Sequence, residues 1–275
     1  MPRQFTYLSP IDGWPIVAWD WPAITTAPVA CIVISHGMAE HARRYDRFIG
    51  LLNEANYRVL AMDHRAHGLT GGPEGPGDFG DGGWDALVAD IDPLVDMASA
   101  DGLAVVLFGH SMGAAAAQQY VQSGSGKLAA LILSGSTLRR PGEEIADYNQ
   151  GFEGRTAYDW LSRDDLEVDK YIDDPLCGFE GQTVRNGMDR TDPRRVDPQR
   201  LAQIRSDLPV LLVAGEDDPV NNQMKGLALL EQLWRGAGVA QIDKLYYPGG
   251  RHEMLNEINR DQVQADILAW LSDRF

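Results

Sequence analysis

The chain of 275 residues is 44% hydrophobic, and its 40 Asp and Glu residues outnumber its 24 Lys and Arg residues, which gives a formal net charge of −16. Such a charge disfavours nucleic acid and anionic membrane surfaces as partners, and the longest apolar run, residues 27–34, is too short to span a bilayer. Two cysteines cannot build a disulfide framework or a zinc site and fit a reducing compartment, so we expect a cytoplasmic protein without stable membrane insertion.

The pattern of apolar residues predicts an α/β fold. Alternating polar and apolar residues around "PIDG" (residues 10–13) predict an N-terminal antiparallel hairpin. Short apolar runs then predict strands in "APVACIVISHG", "YRVLAM", "LAVVLFG", "LAALILSGS", "LPVLLVA" and "IDKLYY". Helical spacing predicts helices in "HARRYDRFIGLLNEANY", in the segment around Trp84 to Ile91 that Pro93 should kink or split, in "MGAAAAQQYV", in "NNQMKGLALLEQLW" and in "RDQVQADILAWLSDRF". This alternation favours a mostly parallel sheet with helices on both faces.

Residues 137–207 interrupt the alternation of strands and helices. They contain no strand-like run, are rich in Arg, Asp and Glu, and include aromatic residues that could bury enough area to order the segment. The alternative is a long disordered loop. We predict one domain over residues 1–275 with an inserted, largely helical cap at 137–207.

The sequence "GHSMG" at residues 109–113 matches a Gly-x-Ser-x-Gly pattern. In a chain with 29 glycines the pattern alone is a weak signal, but it stands where a predicted strand meets a predicted helix, as in a nucleophile elbow. Such a turn needs the missing side chains of Gly109 and Gly113, carries His110 inside it, and raises the Ser111 hydroxyl above the carboxyl edge of the sheet. Ser111 is the candidate nucleophile; the alternative is a serine merely tolerated in the turn.

A serine nucleophile needs a histidine base and an acid that orients the histidine. In this strand–turn–helix arrangement the acid and then the histidine follow the nucleophile along the chain. Of the six histidines only His252 follows Ser111, in the loop "PGGRHEML". Glu216, Asp217 and Asp218 compete for the role of the acid after "LPVLLVA". We expect Asp218, with Asp217 as the second candidate.

Acyl transfer also needs backbone N–H groups that stabilise an oxyanion. Met112, directly after the nucleophile, supplies one, and the loop "SHGMAEH" could supply a second from Met38. We interpret His36 and His41, which lie at no convincing metal-ligand spacing, as residues that organise loops, and residues 63–67 as bracing the site. This chemistry requires no metal and no organic cofactor.

Several blocks of the sequence resemble the serine α/β-hydrolases related to monoacylglycerol lipase and bacterial lysophospholipases. These blocks are "HGMAEHARRY", "AMDHRAHGLTGG", "FGHSMGA", "LPVLLVAGEDDPV" and "YPGGRHEMLNE". The resemblance spans Ile11 to Phe275, is weakest in the cap, and implies the same triad and oxyanion donors together with a cap that shapes an acyl-binding tunnel. Alanine replaces the family's usual glycine at Ala39, Ala66 and Ala114, and alanine is strained wherever φ is positive.

The predicted activity is that of a serine carboxylic ester hydrolase acting on a small-molecule acyl ester through an acyl-enzyme. An acidic cap with aromatic residues favours a neutral ester over an anionic one as the substrate. The sequence does not decide among short-chain esters, monoacylglycerols and lysophospholipid-like esters. An acyltransferase, a thioesterase or an S33-type peptidase would use the same triad. A non-catalytic ligand-binding protein of the same fold is the alternative from another class. The sequence does not indicate an oligomeric state.

Overall fold

A single sheet of eight strands runs through the described residues of the computed structural model, which are 2–72, 75–145, 147–152, 154–180 and 186–275. The strands are β1 Arg3–Leu8, β2 Pro15–Trp21, β3 Cys31–Ser35, β4 Arg58–Met62, β5 Val105–His110, β6 Ala130–Ser134, β7 Val210–Gly215 and β8 Ile242–Tyr247. Their order in the sheet is β1-β2-β4-β3-β5-β6-β7-β8. The pairs β1–β2 and β2–β4 are antiparallel and all others are parallel. The predicted mostly parallel sheet with an N-terminal hairpin is confirmed.

The α-helices of the described chain fall close to the predicted positions. They are α1 Asp46–Glu54, α2 Gly83–Ala89, α3 Ile91–Ser99, α4 Met112–Gly124, α5 Asp165–Asp173, α6 Pro198–Leu201, α7 Lys225–Gly236 and α8 Arg260–Ser272. The expected split near Pro93 occurs at Asp90, between α2 and α3. Pro93 is then the third residue of α3, in the first turn, where a backbone N–H has no acceptor within the helix anyway. Among the described residues, no helix combines the length and the apolar character needed to cross a bilayer.

Helices cover both faces of the sheet, as predicted. Alternate side chains of a strand point to opposite faces, so Val33 of β3 packs in one core with α2, α3, α4 and α7, whereas Ile34 packs in the other with α1 and α8. Strands β3, β5, β6 and β7 are buried along their whole length. This explains why they read in the sequence as continuous apolar runs rather than as alternating ones.

Residues 137–207, which we call the cap segment, connect β6 to β7. Helices α5 and α6 and the 3-10 helices Asp159–Leu161 and Pro193–Arg195 lie in it, and its described residues contain no strand. Most of the remaining described residues are irregular, so the segment is less helical than the largely helical cap that the sequence predicts. Aspartates contribute to this: Asp174 and Asp189 each accept a hydrogen bond from the backbone N–H two residues ahead, which favours turns over helix continuation.

The cap segment is attached by its backbone to two loops at the carboxyl edge of the sheet. The Gly178 N–H donates to Ala39 O, in the loop after β3, at 3.0 Å. The Glu253 N–H, in the loop after β8, donates to Leu161 O at 2.8 Å. Both loops carry candidate site residues, so the cap segment and the site share a hydrogen-bonded framework.

Candidate active site

Ser111 lies in a tight turn between β5 and α4, with φ 52° and ψ −114°. A non-glycine residue held in such a conformation costs on the order of 1–3 kcal/mol, which the surrounding packing must offset. A Cβ at Gly109 would lie 2.8 Å from the Cα of Ala114, and a Cβ at Gly113 would lie 2.0 Å from the Ser35 carbonyl oxygen. Only glycine fits at both positions, and the turn presents Ser111 to a cavity.

His252 and Asp218 meet beside this cavity. Their Nδ1 and Oδ2 atoms are 3.0 Å apart, and the residues are 2% and 1% exposed. The other carboxylate oxygen of Asp218 accepts the Val220 N–H at 2.8 Å, which fixes the orientation of the side chain. Glu216 and Asp217 are exposed. Of the three candidate acids, the one expected from the sequence is therefore the one buried against the histidine.

The pKa of His252 reflects two opposing influences. Burial alone would lower it, but the charge of Asp218 and the hydrogen bond to it raise the pKa above its ordinary value. Because the Asp218 carboxylate accepts from Nδ1–H, the lone pair of the neutral imidazole is on Nε2. Ser111 and His252 line the same cavity but share no hydrogen bond within the described chain, and such bonds commonly form only when substrate binds.

Two aromatic side chains hold the ring of His252. The His110 ring is 4.8 Å from it, and the Trp160 ring, from the cap segment, is 5.0 Å from it, centroid to centroid. Burial, followed by the nearby His252, lowers the pKa of His110 to about 4. His110 is therefore neutral at physiological pH, so it can pack against His252 without repelling its protonated form.

The two candidate oxyanion donors, Met38 and Met112, also line the cavity with Ser111. Met112 is the first residue of α4, so its N–H has no acceptor within the helix. Neither N–H donates to another backbone oxygen in the part of the chain that the structure describes. Both groups are thus free to donate to a ligand in the cavity.

The three alanines that replace glycine differ in their backbone conformation. Ala39 has φ 55° and Ala66 has φ 62°, whereas Ala114 lies inside α4. A positive φ crowds the Cβ of alanine but not of glycine. The strain expected for these replacements is therefore present at two of the three positions, one of them directly after Met38.

A buried charged cluster behind the site was not predicted from the sequence. Arg44 bonds to Glu40 at 2.8 Å and to both oxygens of Glu253 at 2.6 and 2.8 Å. Glu40 in turn accepts from the Gly37 N–H and from the Tyr45 hydroxyl. Burial alone would raise the pKa of both carboxyls, but Arg44 keeps it below the ordinary value. The cluster joins the Met38 loop to the His252 loop. The only sign of this cluster in the sequence was that charged residues occur inside the blocks "HGMAEHARRY" and "RHEM".

His36, His64 and His67 precede Ser111 in the sequence and lie in the loops after β3 and β4. His36 Nε2 accepts the His64 backbone N–H at 2.9 Å, and the rings of His36 and His67 are 5.2 Å apart. Burial lowers the pKa of all three rings. The rings of His36, His64 and His67 are therefore buried and neutral, and they lie in the loops that we expect them to organise or brace.

His41 has partners that its sequence spacing did not indicate. It lies beside Asp174 and Cys177 of the cap segment, and the potential ligand atoms of the three residues are all within 4.8 Å of one another. His41 Nε2 is bonded to Asp174 Oδ2 at 2.9 Å, which accounts for the contact without a metal. The spacing in the sequence did not indicate these neighbours, because the cap segment brings both of them from more than a hundred positions away.

The cavity has a volume of about 230 Å³ and is bounded by the carboxyl edge of the sheet and by the cap segment. Its aromatic and apolar wall from the cap segment consists of Tyr148, Trp160, Leu161, Tyr171 and Met188. The same segment also contributes Arg139, Arg190, Arg195 and Asp189 to the wall. The charged residues of the segment that line the cavity are thus mainly basic although the segment is acidic overall, so its composition gives no electrostatic argument for a neutral ester.

Comparisons with known proteins place this arrangement among hydrolases. The model of the family Hydrolase_4, described as serine aminopeptidase, S33, matches residues 26–259. A putative monoglyceride lipase of Schizosaccharomyces pombe is 30% identical over 92% of the chain and 70% of that protein. The monoglyceride lipase of Mus musculus is 30% identical over 99% of the chain and 91% of that protein.

Solved structures show the same fold. A thermostable carboxyl esterase from Bacillus coagulans, in complex with glycerol, superimposes with a TM-score of 0.88 at 25% identity, covering 99% of this chain and 98% of that one. A monoglyceride lipase from Saccharomyces cerevisiae superimposes with a TM-score of 0.80 at 20% identity over 99% and 96% of the two chains. At 20% identity, the likeness to the Saccharomyces cerevisiae lipase supports the fold and not the function.

Proposed function

Because the chain belongs to the Hydrolase_4 (serine aminopeptidase, S33) family of α/β-hydrolases and is a carboxylic ester hydrolase similar to monoglyceride lipases, we propose that it cleaves acyl esters through an acyl-enzyme on Ser111. His252 is the general base and Asp218 orients it. The observation that carries this proposal is the 3.0 Å bond between the buried His252 and Asp218 beside the cavity that Ser111 lines.

The proposed reaction has two stages. His252 Nε2 takes the proton of the Ser111 hydroxyl as Oγ attacks the ester carbonyl carbon, and the oxyanion accepts hydrogen bonds from the Met38 and Met112 N–H groups. The carbon–oxygen bond to the alcohol then breaks, and His252 gives its proton to the departing alcohol. Water repeats the sequence and releases the acid. No step needs a metal or an organic cofactor.

Residues 137–207 act in this proposal as the cap of a single domain over residues 1–275. Their aromatic and apolar side chains on the cavity wall support binding of an acyl chain. The family description names a peptidase, but the 30% identical relatives are monoglyceride lipases, which favours an ester as the substrate. An acyltransferase or a thioesterase would use the same chemistry with another acceptor or another leaving group.

The test is hydrolysis of p-nitrophenyl esters over a series of acyl lengths by the wild type, Ser111→Ala and Ser123→Ala. Ser123 is an exposed serine on α4 and serves as the matched control. Ser111→Ala should lower kcat by about 10⁶-fold, and Ser123→Ala should leave it unchanged. A fluorophosphonate probe should label the wild type but not Ser111→Ala. Retention of the rate or of the labelling in Ser111→Ala would contradict the proposal.

A further inference from the structure

Two arginines on the cavity wall are buried without a carboxylate partner. Arg139 and Arg195 are 3% and 5% exposed, and both line the cavity that contains Ser111. No carboxylate of the described residues lies within ion-pair distance of either guanidinium. Most of the other arginines that the structure describes, such as Arg44 and Arg65, are ion-paired.

The hydrogen bonds of these arginines go to neutral oxygens. Arg139 Nη2 donates to Val220 O at 2.9 Å. Arg195 Nη2 donates to Thr137 O at 2.7 Å and to Gln118 Oε1 at 2.8 Å, and its Nη1 donates to Arg190 O at 3.4 Å. These bonds orient the guanidinium groups but leave their charge unneutralised.

Several polar atoms of this corner of the cavity have no partner at all. Among the described residues, the buried Nε atoms of Arg139 and Arg195 have no acceptor, and the buried Thr137 hydroxyl beside them has no partner. A buried polar group without a hydrogen bond is costly, and an unpaired buried charge costs more. These three atoms are closed to solvent, so an anionic ligand would not bond to them directly. It would instead offset the two charges from the cavity side, where both arginine side chains form part of the wall.

The nearby carboxylates are either engaged or exposed. Asp192 is buried, but both of its oxygens accept from Arg194. Asp189 lines the cavity, but it is exposed and its Oδ1 accepts from the N–H and the hydroxyl of Thr191. Burial lowers the pKa of Arg195 to about 10, with Arg139 acting in the same direction against the two aspartates. Arg195 is therefore still protonated at neutral pH, and both arginines present positive charge to the cavity.

We propose that Arg139 and Arg195 form a subsite for an anionic group of the substrate, so that the preferred substrates are acyl esters that carry a carboxylate or a phosphate. The fork of N–H donors on a guanidinium can bond to two oxygens of either a carboxylate or a phosphate. The formal net charge of −16 does not oppose this, because surface charges are screened over about 8 Å at physiological ionic strength whereas a buried pair is not. The inference rests on the proposed function and replaces the neutral ester expected from composition.

The test compares kcat/KM of the wild type within two matched ester pairs. The first pair is p-nitrophenyl hydrogen suberate and methyl p-nitrophenyl suberate, which differ in a terminal carboxylate. The second is a 1-acylglycerol 3-phosphate and the 1-acylglycerol with the same acyl chain. We expect the anionic member to be preferred by about tenfold or more in at least one pair, because hydrogen bonds to charged groups are stronger than those between neutral groups. The pair that responds identifies carboxylate or phosphate as the anion.

Variants then assign the preference to the two arginines. Arg139→Gln and Arg195→Gln should bring the ratio within the responding pair close to one, while Arg200→Gln, which alters an exposed arginine of α6, should leave the ratio unchanged. If a variant does not fold, free suberate or inorganic phosphate is instead added to the wild type during hydrolysis of the neutral ester. Competitive inhibition by either anion supports the subsite.

Three results would overturn the inference. One is a wild type that prefers the neutral member of both pairs, and the second is an anionic preference that survives in both folded variants. The third is the absence of competitive inhibition by either anion. In each of these cases hydrolysis of the neutral esters leaves the proposed function standing. A folded wild type that hydrolyses no ester of either pair would instead contradict the proposed function, and the inference would fail with it.

Discussion

Asp218 and His252 are hydrogen-bonded at 3.0 Å although 34 positions separate them in the sequence. They follow β7 and β8, which are parallel neighbours in the sheet, with Gly215 opposite Tyr247. Because the strands run side by side in the same direction, the loops after them emerge at the same edge. The register of two strands thus sets the distance between the candidate acid and the candidate base.

Replacing the acid tests whether this bond matters for catalysis. Asp218→Asn should lower kcat by about 10⁴-fold, because an amide no longer fixes the tautomer of His252 or stabilises its protonated ring. Asp217→Asn is the matched control, since that side chain is exposed one position away, and it should retain the wild-type rate. Steady-state kinetics on a p-nitrophenyl ester gives both values. Equal losses in the two variants would contradict the assignment of Asp218.

The pH dependence of activity should also report the interaction between Asp218 and His252. The base acts only when neutral, and Asp218 raises the pKa of His252, so kcat/KM should rise with pH through a midpoint above the ordinary value of about 6.5. In Asp218→Asn burial acts without the opposing charge, and the midpoint should move below that value. A pH profile of the residual activity measures this shift. A midpoint that stays in place would show that another group controls the acid side of the profile.

Removing the cation of the buried charged cluster should cost stability. Arg44→Met leaves Glu40 and Glu253 buried without their partner, and breaking a buried ion pair in this way typically costs about 3–5 kcal/mol. Arg43→Met removes a neighbouring arginine whose ion pair with Asp46 is exposed, and it should cost no more than about 1 kcal/mol. Denaturant unfolding of the two variants measures the difference. Similar losses in both would rule out a special role for the cluster.

The alanines that replace glycine should respond in opposite directions to restoration of glycine. Ala39→Gly relieves a positive φ and should raise the free energy of unfolding by about 1 kcal/mol. Ala114→Gly introduces glycine inside α4 and should lower it by about 1 kcal/mol. Thermal or denaturant unfolding reports both changes. A destabilised Ala39→Gly would mean that the loop around it is not strained.

The parts of the structure that follow local patterns were predictable from the sequence. The elbow at Ser111 is encoded by an apolar strand, two glycines and a small-residue helix in direct succession, and His252 followed from chain order alone. The loops after the strands lie at one edge because parallel strands have one direction. These are short-range rules, and they were sufficient for the sheet and for the positions of the candidate site residues.

Contacts between distant segments were not predictable in the same way. Arg44 and Glu253 are 209 positions apart, and the sequence marks each only as a charged residue, the kind that is usually solvated. The same holds for Arg139 and Arg195, whose segment is acidic overall while its residues on the cavity wall are mainly basic. Composition averages over a whole segment, whereas a site depends on the few side chains that point into it.

Two of the backbone bonds that attach the cap segment to the rest of the fold have a consequence for protein engineering. Since Gly178 is bonded to Ala39 and Leu161 to Glu253, the segment is not an exchangeable module that alters substrate range alone. A chimera that carries a relative's segment would also change the support of the peptide after Met38 and of the loop that holds His252. Such exchanges should therefore be designed with the anchoring positions 161 and 178 retained, so that a change in specificity is not mistaken for a loss of chemistry.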